Sequence, residues 1–141
     1  MNPKSVHAYV IGEHGDSEFV PWSNVNIGLQ NIDEFLNQEE KNNVEKSVRE
    51  AAYEIINKKG ATYYGIGMCL VRITNAILGN ENAIITVSNY DRENGIYIGL
   101  PAIINKTGVS KKMKVNLTEN ENQKFKNSVN IIKEAILKIN E

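Results

Sequence analysis

The sequence has a single cysteine, Cys69, and with it no internal disulfide, no zinc ribbon and no CxxC redox pair. It lacks an excess of either charge: 16 Lys and Arg stand against 17 Asp and Glu, a formal net charge of −1. A nucleic-acid binder that works by neutralising phosphates needs a basic surplus, so no nucleic-acid partner is expected. No apolar run is long enough to cross a bilayer, and no membrane partner is expected either. The opening Met1-Asn2-Pro3-Lys4-Ser5-Val6 has none of the apolar stretch of a secretory signal. A free thiol without an export signal fits the reducing cytoplasm. Nucleotide-binding fingerprints are missing too. Gly60, Gly65 and Gly67 form neither GxGxxG nor a phosphate loop, and helix packing is the expected reason for them.

What is present is the composition of one globular domain: 141 residues, 41% hydrophobic and 23% charged. Residues 6–11 are β-branched and aromatic, and Gly12 stops them, which predicts a strand. Residues 18–22 and 24–29 predict two more. The period then changes: Val44, Val48, Ala51, Ala52, Ile55 and Ile56 recur at helical spacing, predicting a helix over 39–59 with Gly60 as a left-handed cap. Thr62 is placed to cap a second helix with its side chain. That helix, over 63–78, is apolar on most faces and is expected to be buried, with a second chain or domain as one candidate cover. Strands follow over 83–88, 96–105 and 109–117. Thr118-Glu119-Asn120-Glu121 reads as a capping box opening a last helix with Phe125, Val129, Ile132, Ile136 and Ile139 in one stripe. Strands, two helices, antiparallel strands and a helix make the class α+β.

The chemistry is concentrated in few residues, since the chain has only two histidines, His7 and His14. His14 lies in Gly12-Glu13-His14-Gly15-Asp16-Ser17-Glu18, where two glycines leave the ring open to close approach by a small substrate. An imidazole gives and takes protons near neutrality, so one reading of His14 is a general acid/base. The other is a turn histidine that only hydrogen-bonds its loop. A metal site of His14, Asp16 and Glu18 requires an extended backbone, which Gly12 and Gly15 disfavour, and no HExxH is present; no metal is expected. Ser17 stands too near His14 in sequence to be assigned as a nucleophile, and GxSxG is absent.

From Val6-His7-Ala8-Tyr9-Val10-Ile11-Gly12 through Glu18, then Val20-Pro21-Trp22-Ser23, the chain closely resembles the active-site segment of bacterial L-lactate dehydrogenases. Lys59-Gly60-Ala61-Thr62-Tyr63-Tyr64-Gly65-Ile66-Gly67-Met68 is similar to the start of that family's substrate-side helix. Val87-Ser88, Gly99-Leu100-Pro101 and the last helix fall in the family's order. The resemblance implies an α+β fold like the C-terminal domain of lactate and malate dehydrogenases, a mixed or antiparallel sheet packed with long helices. It implies that residues 1–141 are one catalytic, substrate-binding C-terminal domain. On this expectation the N-terminal Rossmann NAD-binding domain is absent from the chain and Met1 is a new start.

The same resemblance implies roles. His14 matches the proton donor/acceptor that protonates the carbonyl of pyruvate as NADH delivers hydride, and takes the proton back from L-lactate. Thr62 matches a substrate-pocket residue. Ile66 matches an apolar residue against the nicotinamide ring, where an apolar wall disfavours the charged oxidised form. His7 matches the position that contacts an effector phosphate in enzymes activated by fructose 1,6-bisphosphate, where a cationic imidazole suits a phosphate. The parent is expected to be a homotetramer and to use NAD. The aspartate that orients the imidazole and the arginines that hold and cover the substrate carboxylate have no counterpart in these residues, so the isolated chain is expected to be inactive. Three rivals remain beside this reading: a malate dehydrogenase-type domain of the same superfamily, a non-catalytic assembly fragment, and a metal hydrolase on His14, Asp16 and Glu18.

Overall fold

Antiparallel pairing of β-branched segments builds the larger sheet. The structure, a computed structural model, describes residues 2–139; Met1, the new start expected above, lies outside them with Asn140 and Glu141. Strands β4 (Ala83–Asp91), β5 (Ile96–Asn105) and β6 (Gly108–Lys112) pair in that order, each antiparallel to the next. The turn between β4 and β5 closes with the Gly95 N–H donating to Asp91 O at 2.8 Å. Gly95 has a φ of +70°, a conformation that glycine adopts without cost. Alternation along β5 buries Ile96 and Ile98 and leaves Tyr97 out. Helix α3 (Glu119–Ile139) lays Val129, Phe125 and Ile132 on Ile96 and Ile98. Further along β5, Ala102 and Ile104 meet Ala76 of helix α2 (Tyr63–Leu78).

A smaller antiparallel sheet joins β1 (Val6–His7), β2 (Asn26–Ile27) and β3 (Gln30–Asn31) over a core of Val20, Val25 and Ile32. The strand expected over 6–11 is shorter because the chain changes partners. Val6 and His7 pair with β2, Ile11 pairs with Phe19, and Gly12 pairs with Gly99 of β5. The expected strand over 18–22 reduces to that contact at Phe19, and residues Trp22–Asn24 form a 3-10 turn instead. The third, expected over 24–29, keeps only β2.

Helix α1 (Gln38–Lys59) starts with a capping box that the helical period alone did not locate. Asn37 Oδ1 accepts the Glu40 N–H at 3.0 Å while the Glu40 carboxylate accepts the Asn37 N–H at 2.8 Å. It ends as expected on Gly60, at φ +80°.

Thr62 precedes α2, but its side chain makes no cap bond. Its φ of −100° and ψ of 23° lie outside the extended region that an N-cap requires. Within this chain α2 is largely uncovered, so the burial expected of it would have to come from a second chain or domain. Only its Ala76 side reaches the sheet, and Tyr63, Tyr64, Met68, Leu70 and Leu78 stand exposed. Gly65 and Gly67 face open space, so packing within this chain does not explain them. β6 stops at Lys112, short of the strand expected over 109–117. The capping box at the start of α3 forms, with the Thr118 N–H donating to the Glu121 carboxylate at 2.8 Å.

Candidate active site

The glycines around His14 are what let its loop dock. Gly12 and Gly99 exchange two backbone hydrogen bonds, at 3.0 and 2.9 Å, and Ile11 and Phe19 exchange two more at 3.0 Å. A Cβ on Gly99 would lie 2.8 Å from the Gly12 carbonyl oxygen, so this approach of two backbones needs glycine. Gly12 itself holds a φ of +110°. Both ends of the segment 12–18 are thereby fixed, one to β5 and one to its own return. His14 projects from the segment with a fully exposed side chain.

His14 lines a cavity of about 530 Å³ together with Glu13, Glu18 and residues 8–12. The far wall comes from Ile84, Ile85 and Thr86 of β4 and from Arg72 of α2. His14 Nδ1 lies 3.9 Å from Glu18 Oε2, an ion-pair distance too long for a hydrogen bond. Burial pushes the Glu18 carboxyl above its usual range, the nearby imidazole works against that shift, and Glu13 adds to it. Thr86 Oγ1 is buried on that wall without a hydrogen-bond partner among the described residues.

Arg72 is the residue that sequence reasoning missed. It reaches the cavity while ion-paired to Glu81 at 2.6 Å. A signal existed: it is the one charged side chain in α2.

The other expected site residues do not share this cavity. Thr62 and Ile66 line a separate hollow of about 400 Å³ with Ile56 and Leu70, where α1 gives way to α2. His7 sits on β1 opposite Asn26, with its side chain exposed. The metal set of His14, Asp16 and Glu18 does not assemble. No three such donors are placed to hold an ion among the described residues, and Asp16 accepts from the Tyr53 hydroxyl at 3.0 Å instead. Ser17 donates to Glu13 Oε2 at 2.6 Å, so its hydroxyl is engaged with a carboxylate and not with His14.

Beyond the loop, the chain is tied down at Trp22 and Ser23. Trp22 Nε1–H donates to Glu45 of α1 at 3.0 Å. Ser23 donates twice to Glu121, from its amide at 3.0 Å and its hydroxyl at 2.6 Å. Burial alone would raise the Glu121 carboxyl, but these bonds and those from Thr118 outweigh it and hold the group below its usual range.

Comparison with known proteins gives this geometry a family. Residues 1–141 match the lactate/malate dehydrogenase, alpha/beta C-terminal domain. The L-lactate dehydrogenase of Geobacillus sp. is 50% identical over 144 aligned positions, covering 95% of this chain and 45% of that protein. L-lactate dehydrogenase 2 of Bacillus cereus is 45% identical over 146, covering 96% and 46%. Among solved structures, MGS-M5, a lactate dehydrogenase from a Medee basin deep-sea metagenome library, superposes with a TM-score of 0.89 at 49% identity over 95% of this chain and 46% of that one. The minor L-lactate dehydrogenase of Enterococcus mundtii gives 0.88 at 40% identity, over the same shares of each chain. The chain thus spans about half the length of the curated relatives it matches. With its whole length inside the match, this chain belongs to the lactate/malate dehydrogenase family, whose α/β C-terminal domain it represents.

Proposed function

We propose that this chain supplies the substrate-side half of an NAD-dependent L-lactate dehydrogenase, with His14 as the proton donor and acceptor. The supporting observation is the exposed imidazole on a loop fixed at both ends, facing a cavity whose walls carry Glu18 and Arg72. In pyruvate reduction the protonated ring hands its proton to the carbonyl oxygen as that oxygen gains charge, and in lactate oxidation the neutral ring takes it from the hydroxyl. Glu18 Oε2 stands 3.9 Å from His14 Nδ1, on the same cavity.

The residues present fit only part of NAD. Ile66 and Leu70 offer an exposed apolar surface to one face of a nicotinamide ring, with Thr62 beside it. The sequence has no glycine-rich cradle for the phosphates. When bound, the dinucleotide would supply hydride. We place the phosphate contacts, the orienting aspartate and the carboxylate-binding arginines in the half of the relatives that this chain does not match. The isolated chain should therefore oxidise no NADH with pyruvate, and measurable turnover by the purified chain would count against this division of labour.

The test joins this chain to the N-terminal half of the Geobacillus relative and assays pyruvate and oxaloacetate side by side. Pyruvate should be the better substrate, and His14→Asn should cost about 100- to 10,000-fold in kcat with the cofactor KM unchanged. Full activity in that variant would remove His14 from the chemistry. Preference for oxaloacetate would move the parent to malate. In the same protein, His7→Ala should abolish any response of pyruvate saturation to fructose 1,6-bisphosphate; a response that survives would free His7 of the effector role. A homotetrameric parent is proposed with it.

A second reading, a fragment that works by assembly, is favoured by the uncovered apolar side of α2.

A further inference from the structure

Ser128 lies on α3, far from His14 in sequence, and is completely buried. Its hydroxyl is nevertheless bonded to the His14 loop. The Glu13 N–H donates to Ser128 Oγ at 2.5 Å, and Ser128 Oγ lies 3.1 Å from Ser17 Oγ. Glu13 and Ser17 flank His14 on either side.

Hydrogen counting fixes the direction of every bond. The Glu13 carboxylate accepts from the Ser17 hydroxyl, so Ser17 spends its one proton on Glu13 Oε2, at 2.6 Å. Ser128 must then donate its own proton to Ser17 Oγ, and it accepts the Glu13 N–H on a lone pair. The result is a closed ring: Glu13 amide to Ser128, Ser128 to Ser17, Ser17 back to the Glu13 carboxylate. The ring clamps residues 13 and 17 together and ties both to a helix that itself packs on β5.

The approach of Ser128 also depends on the loop sequence. A Cβ on Gly12 would stand 2.7 Å from Ser128 Oγ. The glycine that opens the loop is therefore required on the helix side as well as by its backbone angle.

We infer that Ser128 is the positioning residue of the His14 loop, acting through Glu13 and Ser17 and touching no substrate. This rests on the proposed role of His14, but the experiment does not use turnover, so its failure leaves the assay of His14→Asn to stand or fall separately. Amide hydrogen exchange and carboxyl NMR are recorded on the 141-residue chain and on Ser128→Ala, Ser17→Ala and Val129→Ala. Val129 is a buried neighbour on α3 that serves the core alone.

Ser128→Ala should raise exchange at residues 12–18 by about tenfold or more over the change seen in β4 and β5, because it leaves the part-buried Glu13 N–H without its partner and removes one of the bonds at Ser17 Oγ. It should also lower the titration of the Glu18 carboxyl towards its ordinary value, as the freed loop lets water reach it. Ser17→Ala, which leaves the Glu13–Ser128 bond in place, should show the same pattern in weaker form and provides the reading should Ser128→Ala fail to fold. Val129→Ala should speed exchange in the sheet and leave Glu18 where it was. Equal acceleration of loop and sheet in Ser128→Ala, or no movement of Glu18 in either serine variant, would overturn the inference.

Discussion

At the scale of single residues, two glycines carry the site more directly than any charged group. Gly99 faces the Gly12 carbonyl so closely that a methyl group would sit 2.8 Å from it, and the obstructing atom is backbone, which cannot swing aside. Gly99→Ala should cost about 1–3 kcal/mol in urea unfolding through overpacking, and it should loosen residues 12–18 before the rest. A loss under about 0.5 kcal/mol would place Gly99 among ordinary surface substitutions and show that β5 yields easily. The motif around His14 could be read from the sequence because all its parts are adjacent. Ser128 could not: its place beside the His14 loop depends on α3 returning to the sheet, and nothing local announces that, while Arg72 carried only the mark of being the one charge in an apolar helix.

At the scale of elements, what the sequence disclosed was what neighbouring residues decide among themselves. The span of α2, the glycine that stops α1 and the capping box of α3 follow from side chains within one turn of each other. Strand lengths in the first 30 residues did not, because residues 6–12 pair in turn with β2, Phe19 and β5, and such changes of partner leave no period behind. The α3 capping box yields a prediction about acid. Glu121 sits below its ordinary value of 4.5 in the folded chain. As pH falls the unfolded chain takes up the proton first. The stability from this carboxylate is therefore complete above the ordinary value and is lost as pH drops through the lower, folded one. Glu121→Gln should be less stable than the parent near neutrality, and its urea midpoint should decline less between neutral and acid pH. Parallel acid limbs in the two proteins would mean that the bonds from Ser23 and Thr118 do not favour the ionised form.

At the scale of the whole molecule, the apolar surface is distributed unevenly. The larger sheet buries its inner residues against Ala76 and Val129, yet α2 leaves Tyr63, Tyr64, Met68 and Leu78 exposed by 80%, 84%, 68% and 80%. On α1, Val44, Val48 and Ile56 are also more than 40% exposed. Monomeric proteins seldom present so many large apolar side chains along adjoining helices, since covering them removes that area from water. The periodicity of both helices was legible, but not what would lie against them, because a sequence pattern marks a face as apolar without naming its cover. The hollow of Thr62 and Ile66 opens on this same surface, so a catalytic and an assembly reading compete for it. Sedimentation of the purified chain should show mass rising with concentration, and Met68→Lys with Leu78→Lys should return it to a monomer. A chain that stays monomeric throughout would leave the apolar side of α2 to the nicotinamide reading alone. Association that persists unchanged in the double variant would put the contact elsewhere, with α1 and its half-exposed valines the next surface to substitute.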